Sequence, residues 1–387
     1  MHVKDSYFLS QPHQPFFLLG IVNAVLFMLL FMLSYKGVLA PIVDIAFLHS
    51  YSFAFLVFLN VFTGFLFTTF PRFNQTEVIA KSYYSEIFYA NVVASLLFST
   101  GMFGTKLVVF SAILIAFGAH LFIVYKLYTI YKRARVSDKS DSFWILAGMS
   151  FGLVGHLLFF LGVAFPLLFK MAVGVSIFLF LLFTAFSVAQ RMIPFFSHSF
   201  APKSKHFVAT VFGLFVIEAI AFVFEITPLR AITEFVLSAV LLREFLRWEL
   251  HPLQSPAILW VLHLSLLWLP LGFFLSTLAN AYAFITETSF YFFGIHLLLL
   301  GFLLTVLIGF GTRVVLGHSG QVPHADSFTK ALFVLTQVVV LARALVSLDV
   351  AFGWGVSFLF DIAAALWLLL FLLWGGRFAK VLLFGAK

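Results

Sequence analysis

The chain has 387 residues, of which 63% are hydrophobic and only 10% charged, with a mean hydropathy of +1.11. So much apolar surface excludes a soluble globular protein of this size, and the absence of cysteine excludes disulfides, iron–sulfur ligation and covalent c-type haem attachment. The net charge of +8 does not indicate a nucleic-acid partner, because the basic residues lie at the ends of apolar runs rather than along a polar face.

From the N-terminus, a polar segment over residues 1–15 leads straight into an apolar run, and no cleavable signal peptide is expected. Runs long enough to cross a bilayer follow at roughly 16–34, 45–69, 82–100, 105–128, 143–165, 167–189, 207–226, 229–247, 257–279, 289–312, 328–348 and 354–375. Connectors such as Ser34-Tyr35-Lys36-Gly37 and Ala201-Pro202-Lys203-Ser204 separate them, none long enough to hold a soluble domain. The expected fold is all-α: a polytopic membrane bundle of about 12 transmembrane helices forming a single integral membrane domain over 1–387.

Orientation is expected from the basic residues. Of the 23, Lys36, Lys106, Lys170 and Arg230 fall on one face and Arg343 lies inside span 11, which leaves 18 on the other face with both termini. That face is read as cytoplasmic. Spans 2, 6 and 10 end there in the similar strings GFLFTTFPRF, AFSVAQRMIPFF and GFGTRVVLGHSG. Their helix-breaking residues Pro71, Pro194 and Gly317 are 123 and 123 residues apart. A threefold repeat of a four-span unit, giving three four-helix arcs, is one explanation; chance similarity of Phe- and Gly-rich ends is the other.

Polar residues at membrane depth carry the functional argument, because they are costly there without a partner. His2, His13, His198, His206, His251 and His324 precede or follow spans and are read as interfacial. His49, His120, His156, His263 and His296 lie deeper. His49 and His296 differ in depth by only roughly 5 Å at 1.5 Å per residue, so the pair could hold a planar macrocycle as in bis-histidine b-type haem. The competing explanation for each is an interhelical hydrogen bond, and depth alone does not choose a pair. Arg191 and Arg313 close their spans where positive charge is expected anyway, yet guanidinium also binds the carboxylates of haem or another anion. Glu218, Arg343 and Asp361 are compatible with a buried ion pair or with a proton path. No GxxxxGK[ST], HExxH or GxSxG motif is present.

Four segments resemble the NnrS family: Gly64–Pro71 (GFLFTTFP), Arg191–Phe196 (RMIPFF), Ile258–Gly272 (ILWVLHLSLLWLPLG), and His296 to Gly320 with its TRVVLGHSG. They lie on spans 2, 6, 9 and 10 in the family's order, so the resemblance covers essentially the whole chain. It implies a multi-pass protein of the bacterial inner membrane carrying haem and copper, linked to nitric oxide response, denitrification and protection from nitrosative stress. By the same resemblance His49, His263, His296, Arg313 and His318 match family positions. The family's His-x-His-Glu run at the start of span 2 is here His49-Ser50-Tyr51-Ser52, which puts copper ligation at that position in doubt. More distantly, the chain is similar to the twelve-span large subunit of haem–copper oxidases and nitric oxide reductases. Their low-spin haem histidines stand on spans 2 and 10, as His49 and His296 do. Their copper histidines, on spans 6 and 7, have no counterpart within the apolar parts here.

The expectation is thus a b-type haem held by His49 and His296, with Arg313 and Arg191 toward its carboxylates. His263, His318 and His156 are second-choice ligands for another haem or a metal such as copper. Nitric oxide or a related nitrogen oxide would be the ligand and a quinol or cytochrome a candidate electron donor, so a haem-dependent oxidoreductase of nitric oxide metabolism is one form the activity could take. The rival is a cofactor-free twelve-span permease that uses its membrane histidines and arginines for substrate or proton coupling.

Overall fold

A computed structural model describes residues 7–163, 165–199, 201–251 and 254–385. Among them there is no β-strand, and after a short 3-10 turn at Tyr7–Leu9 the chain forms twelve helices. They are α1 His13–Tyr35, α2 Ile45–Phe73, α3 Lys81–Gly101, α4 Lys106–Lys132, α5 Ser140–Gly162 and α6 Leu167–Phe196. Then follow α7 Phe207–Val223, α8 Thr227–Arg247, α9 Ala257–Thr286, α10 Tyr291–His318, α11 Ser327–Phe352 and α12 Phe358–Phe384. Each falls on one of the twelve apolar runs read from the sequence.

Nine of the twelve are long and apolar enough to cross a bilayer, so the chain is a multi-pass membrane protein. The exceptions among the described residues are α3, α7 and α8. With 17 residues, α7 is only about 26 Å long, short of a hydrocarbon core of roughly 30 Å. What sets α8 apart is charge rather than length: it carries Arg230, Glu234, Arg243, Glu244 and Arg247.

The helix ends correct two expectations. Neither Pro71 nor Pro194 stops its helix; each lies inside, two residues before the last helical residue. A proline this late forfeits a single amide bond near an end that already frays, which the chain tolerates. Likewise α10 runs through Gly317 to His318, and α9 continues to Thr286.

The three helices that carried the repeated end strings share a second feature. Each contains a π-helical stretch, at Ser52–Phe58 in α2, Val175–Leu182 in α6 and Leu297–Leu304 in α10. These begin at 52, 175 and 297, which is 123 and then 122 residues apart. The same three are the most buried helices: 94, 89 and 72% of their apolar windows is buried, against 39–44% for α1, α4, α5, α11 and α12. A widened turn leaves carbonyls without their usual i+4 donor, and these must be satisfied from outside the ladder. In α2 the Leu56 carbonyl accepts from Asn23 Nδ2 of α1 at 2.7 Å and from Asn60 Nδ2 at 2.8 Å. In α10 the Leu300 carbonyl accepts from Thr305 Oγ1 at 3.2 Å.

The chain divides into two compact units. One comprises residues 1–176, 314–322 and 371–387, the other residues 177–313 and 323–370. In the first, α1 crosses α2 closely where Gly64 meets Phe16 and Phe17; a Cβ there would sit 3.0 Å from the Cβ of Phe16. Asn23 bonds Ser95 (2.9 Å) and Asn91 bonds Asn60 (3.0 Å), tying α1, α2 and α3 through buried amides. In the second, α9 and α10 pack through Gly301, above which lies the indole of Trp268, whose Nε1 donates to Gln337 of α11 at 2.7 Å.

Candidate functional site

In the first unit, the N-terminal part of α2 presents His49 and Tyr51. The His49 ring stacks on Phe31 of α1 at 4.3 Å and lies 4.6 Å from Phe53. Tyr51, the residue where the family pattern has its second His, is fully buried. Its hydroxyl is 2.9 Å from Nε2 of His156 on α5. Phe55 stacks on His156 at 4.2 Å, and His120 of α4 lies 5.8 Å from it. Ser52, at the family's Glu position, bonds the Leu48 carbonyl of its own helix. The second-choice ligand His156 therefore sits in a buried cluster with His120 and Tyr51, which depth along the chain could not reveal.

His318 closes α10 and belongs to the same unit. Its Nδ1 is 2.6 Å from Gln11 Oε1, and Arg72 of α2 approaches Nε2 at 3.5 Å. Guanidinium can only donate, so Nε2 is the accepting nitrogen and Nδ1 carries the proton given to Gln11. The His13 ring lies 5.0 Å away. This corrects the interfacial reading of His13: it is the first residue of α1 and only 3% exposed, with its amide donating to Thr68 of α2. Its Nδ1 is buried and has no hydrogen-bond partner among the described residues. The signal in the sequence was the run Gln11-Pro12-His13-Gln14, a helix start rather than a tail.

The second unit holds His296, His263, Arg191 and Arg313. His296 ends the first α-helical turns of α10, directly before its π-helical stretch, and its Nδ1 is 2.8 Å from the Phe292 carbonyl. A carbonyl can only accept, so the proton is on Nδ1 and the lone pair on Nε2. His263 of α9 is buried; its Nε2 bonds Ser197 Oγ at 2.7 Å, and its Nδ1 has no partner among the described residues.

The two arginines, 122 residues apart in sequence, line one cavity of about 460 Å³ at the C-terminal end of α6. Lys203, His198, Phe196 and Trp248 also contribute to its wall. The half-buried Arg313 guanidinium lies 3.9 Å from the centre of the Phe196 ring, within cation–π range. Two guanidiniums and an ammonium thus line one aromatic-walled cavity, and guanidinium is the side chain that matches a carboxylate with paired hydrogen bonds. The sequence supplied both arginines; Lys203 and Trp248 were added by the fold.

Among the described residues no group of three or more His, Asp or Glu side chains is arranged to hold a metal ion. Bis-histidine haem needs only two imidazoles. His49 belongs to the first unit and His296 to the second.

A search among curated proteins finds no match to the chain. The sequence profile of the NnrS protein family matches residues 7–384, which takes in all twelve helices and every candidate site residue. Its length leaves no part of the architecture outside the match, and the chain belongs to the NnrS family of membrane proteins associated with the response to nitric oxide.

Proposed function

We propose that the chain is a b-type haem protein of the bacterial inner membrane, with twelve spans and both termini cytoplasmic, and that it acts in nitric oxide response through haem redox chemistry or nitric oxide sensing. His49 and His296 are the axial ligands in this reading, and Arg313 with Arg191 receives the haem carboxylates or another anion. The observation that carries it is the bond from His296 Nδ1 to the Phe292 carbonyl at 2.8 Å. It directs the lone pair to Nε2 and fixes the ring, which is how proteins prepare a histidine to ligate iron. His49, flanked by Phe31 and Phe53, has the apolar flat surroundings that suit a porphyrin edge. Bound there, haem would supply a one-electron couple; with two strong axial ligands it has no open position, which favours electron transfer or sensing over turnover. His263 keeps a buried nitrogen available to a second group. Copper is left out of the proposal, because Tyr51 and His156 meet in an O–H···N contact.

The π-helical stretches 123 and 122 residues apart support the threefold, four-helix-arc arrangement and with it the distant likeness to the oxidase large subunit. Colour tests the reading against the permease. Purified protein should show a Soret band and a reduced α-band. Substituting His296→Ala should abolish them, and His206→Ala should not. A colourless, folded preparation, or an unchanged spectrum in His296→Ala, would refute the haem reading.

A further inference from the structure

The second unit contains a charged cluster that the haem reading does not use. Glu218 lies on α7, Arg230 and Glu234 on α8, Ser276 and Asn280 on α9, and all five are buried. Arg230 sits between the two carboxyls: its Nε donates to Glu218 Oε1 at 2.9 Å and its Nη2 to Glu234 Oε1 at 3.2 Å. The Phe222 ring lies 5.1 Å from the guanidinium and Tyr291 of α10 stands nearby. Glu225, in the exposed connector between α7 and α8, is the next titratable group outward.

The charges do not balance. Two carboxylates face one guanidinium in an apolar interior, where an uncompensated charge costs several kcal/mol. The hydrogen bonds are unequal as well. Glu234 receives Arg230 Nη2 and Ser276 Oγ (2.6 Å) on Oε1, and Asn280 Nδ2 (2.7 Å) on Oε2. Glu218 receives only Arg230 Nε, and its Oε2 is buried without a donor among the described residues. Glu244, the other buried glutamate of α8, provides a contrast. Both its oxygens are satisfied, by the amide and hydroxyl of Ser204, by Arg247 and by Trp248, so it stays ionised.

We propose that Glu218 and Glu234 form a proton-binding site that holds one exchangeable proton between two carboxyls, with Arg230 as its fixed counter-ion. The proton resides on Glu218, and Glu234 is kept anionic by its three donors. Glu218 is five residues from the C-terminal end of α7, about 8 Å along the helix, so the site lies within reach of the connector that carries Glu225. Uptake and release of this proton require no electron donor and no bound cofactor, and the inference stands or falls independently of the haem.

The test is infrared spectroscopy of the full-length protein purified in detergent, in H₂O and after exchange into D₂O. At neutral pH the wild type should show the carbonyl stretch of a neutral carboxylic acid, shifted on deuteration. Glu218→Gln should lose it and Glu244→Gln should keep it. Absence of the band from the wild type overturns the proposal and needs no variant. So does a band that survives both Glu218→Gln and Glu234→Gln, or one that disappears in Glu244→Gln.

Discussion

Replacing Arg230 by methionine should be among the most damaging single changes in this protein. The substitution keeps most of the side-chain stem but removes the donors at 2.9 Å from Glu218 and 3.2 Å from Glu234, leaving two buried carboxyls with no counter-ion. Breaking a buried ion pair from one side typically costs about 3–5 kcal/mol, because the remaining charge is still desolvated. The loss should fall toward the lower end of that range, since Ser276 and Asn280 continue to satisfy Glu234. The sign with pH follows from the same geometry. Protonated carboxyls need no counter-ion, so the deficit should be largest at alkaline pH and should shrink on acidification. Reversible unfolding in mixed micelles, followed by helical circular dichroism at several pH values, measures both effects. The triple variant Arg230→Met, Glu218→Gln, Glu234→Gln removes the charge together with its partners and should recover much of the loss. An Arg230→Met protein within roughly 1 kcal/mol of wild type at every pH, or a triple variant less stable than the single, would refute the argument.

Two further outcomes follow from close packing and from buried polar contacts. Gly301→Ala should destabilise by roughly 1–3 kcal/mol, because its Cβ would fall 2.6 Å from Trp268 Cδ2 and the indole is held by its bond to Gln337; thermal unfolding at or above the wild-type midpoint would contradict this. Tyr51→Phe should cost about 1–3 kcal/mol by leaving His156 Nε2 without its partner, and a midpoint unchanged within error would show that the contact contributes nothing.

Most of the helical plan was legible in the sequence. Twelve apolar runs became twelve helices, because a run of lipid-compatible residues must close its own backbone hydrogen bonds wherever it is placed. What the pattern could not show is whether a charge within such a run faces outward or into the bundle. The charges of α8 are spaced as on any solvated helix, and only the contacts of Arg230 with Glu218 of α7, and of Glu234 with Ser276 and Asn280 of α9, show that this pair is internal. The equal spacing of Pro71, Pro194 and Gly317 marks three helices that share another feature in the structure: what recurs at nearly that interval is a π-helical stretch, which has no residue signature of its own, and all three supposed breakers lie inside their helices.

The site divides in the same way. Hydropathy and the scarcity of polar residues within apolar runs were enough to single out His49, His156, His263, His296, Arg191, Arg313 and Glu218, since each has a desolvation cost that local sequence cannot offset. Tertiary structure alone decided their partners: Ser197 for His263, Tyr51 for His156, one shared cavity for Arg191 and Arg313, and Arg230 for Glu218. It also brought His13 out of an apparent tail and against His318, more than three hundred residues further on. Burial energy is written residue by residue along the chain, whereas a hydrogen bond belongs to two side chains, and which two come within 3 Å is settled only when the helices pack.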